Sequence, residues 1–167
     1  MQTSNKPIFF KEVEQFRSIS SGSQKEYFSV LASIIKEIRV SKLADVFTKD
    51  QIDEIRRKVK LQLKQCYRNA QIFASLFNQV QYSECRLDVE DILSVDHAIN
   101  KVGDKYVDIT LELCLKENPE HHKYTLIKDF DFDLVRKAQQ ETRAYSNVYD
   151  TLYRLNHITG SKSMAIK

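Results

Sequence analysis

Cys66, His97 and Asp108 are the residues whose types could act together in catalysis. Ala70, Phe73, Ala74 and Phe77 form an apolar stripe at helical spacing, which predicts a helix opening near Gln65 with Cys66 in its first turn. Unpaired backbone N–H groups and the positive end of the helix dipole favour a thiolate at such a position. A thiolate attacks a carboxamide or acyl carbon, while an imidazole takes the thiol proton and later protonates the leaving amine. A carboxylate then fixes the imidazole tautomer and stabilises the imidazolium. Taken alone, a cysteine in such a segment is more often a small buried apolar residue than a nucleophile.

The companion residues fall on one expected hairpin. Leu93, Val95, His97 and Ile99 alternate with Ser94, Asp96, Ala98 and Asn100, the period of a half-buried strand. Gly103-Asp104 marks a turn, and Tyr106 to Leu115 is predicted as the returning strand. A four-residue loop, Lys101 to Asp104, pairs His97 with Asp108. A two-residue Gly103-Asp104 turn pairs Ile99 with Asp108 and leaves His97 as a diagonal neighbour on the same face. Either loop sets the two side chains roughly 4.5–8 Å apart at Cβ, whereas a three-residue loop puts them on opposite faces. An acyl-transfer site also needs an oxyanion hole, for which the Cys66 N–H is a natural donor and Gln62 or Gln65 could add a side-chain amide. Asn69 reads as a packing or capping residue, and Asn100 as one that could stabilise the turn.

The elements that must position these groups can be read along the chain. Residues 8–17 form a short helix, and Ser18 to Ser23 a serine-rich connector. Ser23 with Glu26 makes a capping-box pair for a helix over 24–40, with Tyr27, Leu31, Ile34, Ile35 and Ile38 on one face. Thr48 and Gln51 repeat the signature ahead of Ile52, Ile55 and Val59. Strict alternation over 59–64 precedes a break near Gln65. Val80 to Arg86 is predicted as a short edge strand, Asp88 to Asp91 as a loop, and Tyr124 to Ile127 as a third strand beyond the polar His121-His122 loop. Asp131 or Asp133 caps a long final helix bearing Tyr145, Val148, Tyr149, Leu152 and Leu155, and Gly160 to Lys167 read as a frayed end. The class is α+β in one domain: 1–64 a helical support, 65–127 the helix and sheet of the site, and 128–160 the C-terminal helix.

Composition limits the function classes. The 167 residues suffice for one domain with a real core. No apolar run approaches the roughly 18 residues of a transmembrane helix, and the opening MQTSNKPIFFKEVEQF lacks a signal-peptide pattern. A cytoplasmic protein, or one exported as a signal-less effector, is expected. Three cysteines without C-x-x-C spacing, at 66, 85 and 114, argue against a disulfide framework and a zinc ribbon. No membrane, metal or cofactor is implied. The net charge of +3 is too small to imply nucleic-acid binding. Residues 1–65 nevertheless carry 13 Lys+Arg against 8 Asp+Glu, and the run Arg56-Arg57-Lys58 with Lys60, Lys64 and Arg68 reads as a solvated helix face.

The words Cys66-Tyr67-Arg68-Asn69-Ala70, Tyr82-Ser83-Glu84, His97-Ala98-Ile99-Asn100 and Asp108-Ile109-Thr110-Leu111 resemble a pattern of bacterial papain-like cysteine hydrolases: C-Y-x-N-A, Y-x-E-G, H-A-W-N and D-x-T-L. That superfamily includes transglutaminases, peptidases and the effector-type glutamine deamidases that pathogens deliver into host cells. The likeness covers about residues 62–112. It implies a papain-like core, a nucleophile helix packed on a small antiparallel sheet, with Cys66 as nucleophile, His97 as general base and Asp108 orienting the imidazole. Cys85 stands where the pattern often has Gly. Ile99 stands where Trp is usual, which bears on cleft shape more than on chemistry.

The expected function is a cysteine-dependent hydrolase or acyl-transfer enzyme acting on an amide of a protein or peptide. Compact size and the lack of a pro-segment incline it towards glutamine deamidation. The alternative is a non-catalytic helical interaction or adaptor protein. Nucleic-acid binding through Arg56 to Arg68 ranks third, and a metal site from Cys66, Cys85, His97 and the His121-His122 pair last.

Overall fold

The computed structural model describes residues 6–158. The frayed end expected over Gly160 to Lys167 lies outside them. The helices are α1 (Ile8–Ile19), α2 (Gly22–Ile34), α3 (Lys49–Val59), α4 (Cys66–Leu76), α5 (Phe132–Thr142) and α6 (Val148–Ile158). The strands are β1 (Lys36–Ile38), β2 (Val40–Ser41), β3 (Val80–Val89), β4 (Leu93–Val102), β5 (Lys105–Val107) and β6 (Tyr124–Phe130). They form one sheet in the order β1-β6-β3-β4-β5-β2, antiparallel throughout except for the β2–β5 pair. The chain is therefore mixed helix and sheet, as an α+β reading requires. No helix among the described residues is long and apolar enough to cross a membrane.

Local sequence explains much of this. Thr48 and Gln51 make a reciprocal capping box, with Gln51 N donating to Thr48 Oγ1 at 3.3 Å and Thr48 N to Gln51 Oε1 at 2.8 Å. Two orphan N–H groups at the start of α3 are thereby satisfied. Lys60, in the left-handed region at φ 51°, ends α3, and a six-residue loop leads to Cys66, the first residue of α4. The β4–β5 turn is the two-residue Gly103-Asp104 form, with Gly103 at φ 61°, where a side chain would be strained.

Several expectations are corrected. The helix over 24–40 stops at Ile34. The β-branched Ile35, Ile38 and Val40 belong to extended chain, and β1 is paired with β6. Ser23 is not the cap of α2; Ser21 is, and its side chain makes no capping bond. Val80 to Arg86 is no short edge strand. It extends to Val89 and lies centrally between β6 and β4, so Asp88 is in a strand and the turn is confined to Glu90, Asp91 and Ile92. The strand expected over Tyr106 to Leu115 ends at Val107 and gives way to a π-helical turn, Thr110–Leu115. Asp108 causes the change: its carboxylate Oδ1 accepts the Leu111 N–H at 2.8 Å and its carbonyl accepts Glu112 N at 3.1 Å, the bonds of a helix start. The long final helix is two helices, separated where Arg143 takes φ 54°.

Register divides the core between the faces of the sheet. Cys85 lies opposite His97, and Ile99, two residues on, shares that face, as do Tyr106 on β5 and Tyr124 and Leu126 on β6. With Val40, Leu87 and Leu111 these make a small apolar cluster around the His97 side. The opposite face, with Tyr82, Ala98 and Val107, packs on the helices, chiefly through Ala70, Phe73 and Ala74 of α4.

Candidate active site

Cys66 opens α4, so the N–H groups of its first turn have no intrahelical acceptor. The helix is anchored by Asn69, which is fully buried. Asn69 Oδ1 accepts Gln62 N at 3.0 Å, and its Nδ2 donates to Gln62 O at 2.8 Å and to Thr110 Oγ1 at 3.1 Å. One amide thus ties the loop before the thiol to the π-helical turn after Asp108. Arg68 adds a bond from its guanidinium to Lys60 O at 3.1 Å. Asn100 does not hold the β4–β5 turn. Its buried amide donates to Ala70 O at 2.9 Å and Gln81 O at 3.2 Å, bracing α4 against the sheet.

The two-residue turn sets Asn100 opposite Val107, so that Asp108 falls diagonally beside His97 on one face. There His97 Nε2 lies 2.6 Å from Asp108 Oδ2. Asp108 is fully buried and also accepts the Tyr124 hydroxyl at 3.1 Å and the Leu111 N–H. An ionised carboxylate only accepts, so His97 Nε2 donates to it and Nδ1 is the nitrogen left for another partner. Cys66 lies close enough to act on the same ring, adding to the upward push on its proton affinity. Burial by itself would push the imidazole down. The Asp108 charge and hydrogen bond, followed by those of Cys66, outweigh it and raise His97 to about 10. The ring is therefore an imidazolium at neutral pH, flanked by carboxylate and sulfur.

The three cysteines have different surroundings. Cys66 is half-buried beside His97, whereas Cys85 is buried and burial pushes its thiol well up. Cys114 is half-buried and is also pushed up by burial. Gln62 and Gln65 are exposed, and their side-chain amides make no hydrogen bond among the described residues. Their backbones are held instead, Gln62 by the Asn69 side chain and the Gln65 carbonyl by the Asn69 N–H at 2.9 Å. Among the described residues no group of three or more His, Cys, Asp or Glu is placed to hold a metal. His122 instead faces Glu117 at 3.0 Å, and His121 lies 3.2 Å from Asn118 Nδ2.

Sequence reasoning missed two supporting groups. Tyr124 was legible only as the start of a strand, because its reach to Asp108 depends on β6 pairing with β3. Glu84, in the word Tyr82-Ser83-Glu84, is fully buried and accepts the Tyr82 hydroxyl at 2.8 Å, the Val148 N–H and the Tyr149 N–H at 3.1 Å. It caps α6, a favourable place for a carboxylate. Burial nonetheless raises it to about 7, against the pull of those donors. Tyr67, next to the thiol, accepts Asn147 Nδ2 at 3.3 Å just before α6.

Comparison with protein-family models, with curated proteins and with solved structures finds no match to this chain.

Proposed function

We propose that the protein is a cysteine-dependent hydrolase or acyl-transfer enzyme acting on an amide, with a papain-like arrangement of nucleophile helix and sheet. The observation that carries this reading is the buried Asp108–His97 contact of 2.6 Å, with the Cys66 side chain close enough to act on the same ring. A cysteine, an imidazole and a carboxylate linked in this order form a relay for acyl transfer.

The Cys66 sulfur attacks the carbonyl carbon, and the negative oxygen faces the open N–H groups of the first turn of α4. Collapse breaks the C–N bond as His97 gives its proton to the leaving amine, leaving a thioester. A water then loses a proton to His97, attacks the thioester and releases an acid and the thiol; an amine in place of water gives acyl transfer. Asp108 keeps the imidazolium oriented through both stages. If the amide is a glutamine side chain, ammonia leaves first and glutamate is the product.

The test is mass-spectrometric detection of a one-mass-unit gain in protein substrates or of cleaved peptides, with wild-type and Cys66→Ala protein. The reading predicts activity lost in Cys66→Ala and in His97→Ala. Activity that survives Cys66→Ala contradicts it.

A further inference from the structure

The basic residues between 56 and 68 are not equivalent in space. Lys58 pairs with Glu54 at 2.7 Å and lies over the Phe77 ring, and Arg68 is taken up by Lys60 O and Asn69 Oδ1. Arg56 and Arg57 are exposed on α3 without an ion pair among the described residues, and Lys60 and Lys64 differ from all of these in their place. Both are exposed on the loop between α3 and α4, and neither has an ion-pair partner among the described residues.

Both lie on the loop that leads into Cys66. Lys64 is two residues from Cys66, a Cα separation of at most about 7 Å. Lys60 is folded back on the first turn of α4 by the Arg68 bond to its carbonyl, and the middle of the loop is clamped by Asn69 through Gln62. Leu63, between the two lysines, is 56% exposed. The acidic groups around the site are engaged: Asp96 by Arg86 at 2.6 Å, Glu117 by His122 at 3.0 Å and Asp108 by His97. Glu112, near Asp108, accepts the Leu43 N–H at 2.8 Å, whereas the Lys60 and Lys64 charges have no ion-pair partner among the described residues. Lys64 is close enough in the chain to act on Cys66 within about one Debye length at physiological salt.

We infer that Lys60 and Lys64 form an anion-selecting collar at the mouth of the Cys66 site, and that the substrate is a protein segment carrying Asp or Glu close to the reacting amide. The inference rests on Cys66 being the nucleophile of the proposed function and adds the class of substrate. Leu63 offers an apolar contact between the two cations. Two cations on a short loop match one or two carboxylates better than a run of phosphates, which would use a longer basic track.

The protein tests this without its natural substrate. Iodoacetate and iodoacetamide alkylate a thiolate alike but differ by one negative charge, so the ratio of their rate constants at Cys66 reports the local field. The imidazolium of His97 contributes to the ratio in every variant, so the lysine effect is read from the change on substitution. In Lys60→Gln/Lys64→Gln the ratio falls about three- to five-fold at low salt, the order of effect expected of two charges on the adjoining loop in a watery surrounding. The iodoacetamide rate stays within two-fold, Lys60→Arg/Lys64→Arg restores the ratio, and salt near 0.5 M removes the difference between variants. An Asp-containing peptide electrophile likewise loses its advantage over a Lys-containing one in the glutamine variant. An unchanged ratio with a reactive Cys66 overturns the collar and leaves the nucleophile standing, as does a variant that loses only binding to single-stranded DNA. A Cys66 that neither reagent modifies overturns both.

Discussion

Asn69 and Thr110 are joined by a 3.1 Å hydrogen bond that spans 41 residues of sequence and ties the helix of the thiol to the turn that follows Asp108. The same amide holds both backbone groups of Gln62. The two halves of the candidate site are thus held together by one buried side chain. Asn69→Ala should cost about 2–3 kcal/mol, because it leaves backbone groups of the loop without their partner. Denaturant unfolding measures the loss, and iodoacetamide labelling of Cys66 in the folded variant should slow as the loop loosens. Unchanged stability and labelling would remove Asn69 from this role.

Asp108 sustains the protonated imidazole. With the carboxylate in place His97 is raised to about 10, so its ring signals in NMR should not titrate between pH 5 and 8. Asp108→Asn removes the negative charge and its share of the upward shift, and the ring should then titrate at lower pH. The alkaline fall in amide hydrolysis, where His97 loses the proton needed by the leaving amine, should move to lower pH with it. A ring that titrates near its ordinary 6.5 in the wild-type protein contradicts this electrostatic picture.

Stability should fall with rising pH through two windows. Glu84 is raised from 4.5 to about 7, so the folded state holds a proton that the unfolded chain has released, and stability is lost as pH climbs from about 4.5 to about 7. His97 is raised from 6.5 to about 10, so its contribution is complete below 6.5 and disappears as pH rises through about 10. Glu84→Gln should flatten the first window and leave the second, and His97→Ala should do the reverse. Melting temperatures from pH 4 to 10 for the three proteins separate the two groups.

The hairpin was the part of the site most legible in the sequence. The alternation around His97 and the Gly103-Asp104 pair left two even-length registers that seat His97 beside Asp108 and a three-residue loop that does not, and the shorter even turn is the one adopted. The helix start at Cys66 was legible too, because the fresh apolar stripe of Ala70, Phe73, Ala74 and Phe77 favoured a break close to Gln65. What could not be read depended on distant pairing. Lys36–Ile38 look helical in isolation, since Ile34, Ile35 and Ile38 fit a helical face, and become extended because β6 offers them a ladder. Tyr106 to Leu115 looks like continuous strand, and only the Asp108 carboxylate, by capping Leu111, turns it into a π-helical segment. Glu84 reads as a polar strand residue until α6 brings its N–H groups to it. The Gln62 and Gln65 side chains, suggested by chemistry alone, are exposed and without hydrogen bonds among the described residues.

The most direct test of the central claim is competitive alkylation of the native protein at neutral pH by limiting iodoacetamide, with the modified cysteine mapped by mass spectrometry. A cysteine served by His97 as its proton acceptor should react at least about ten-fold faster than an ordinary thiol. The account predicts that Cys66 is modified first, that Cys85 reacts only on unfolding, and that His97→Ala removes the advantage of Cys66 while the protein remains folded. Preferential modification of Cys114 or Cys85, or a Cys66 rate untouched by His97→Ala, would contradict it.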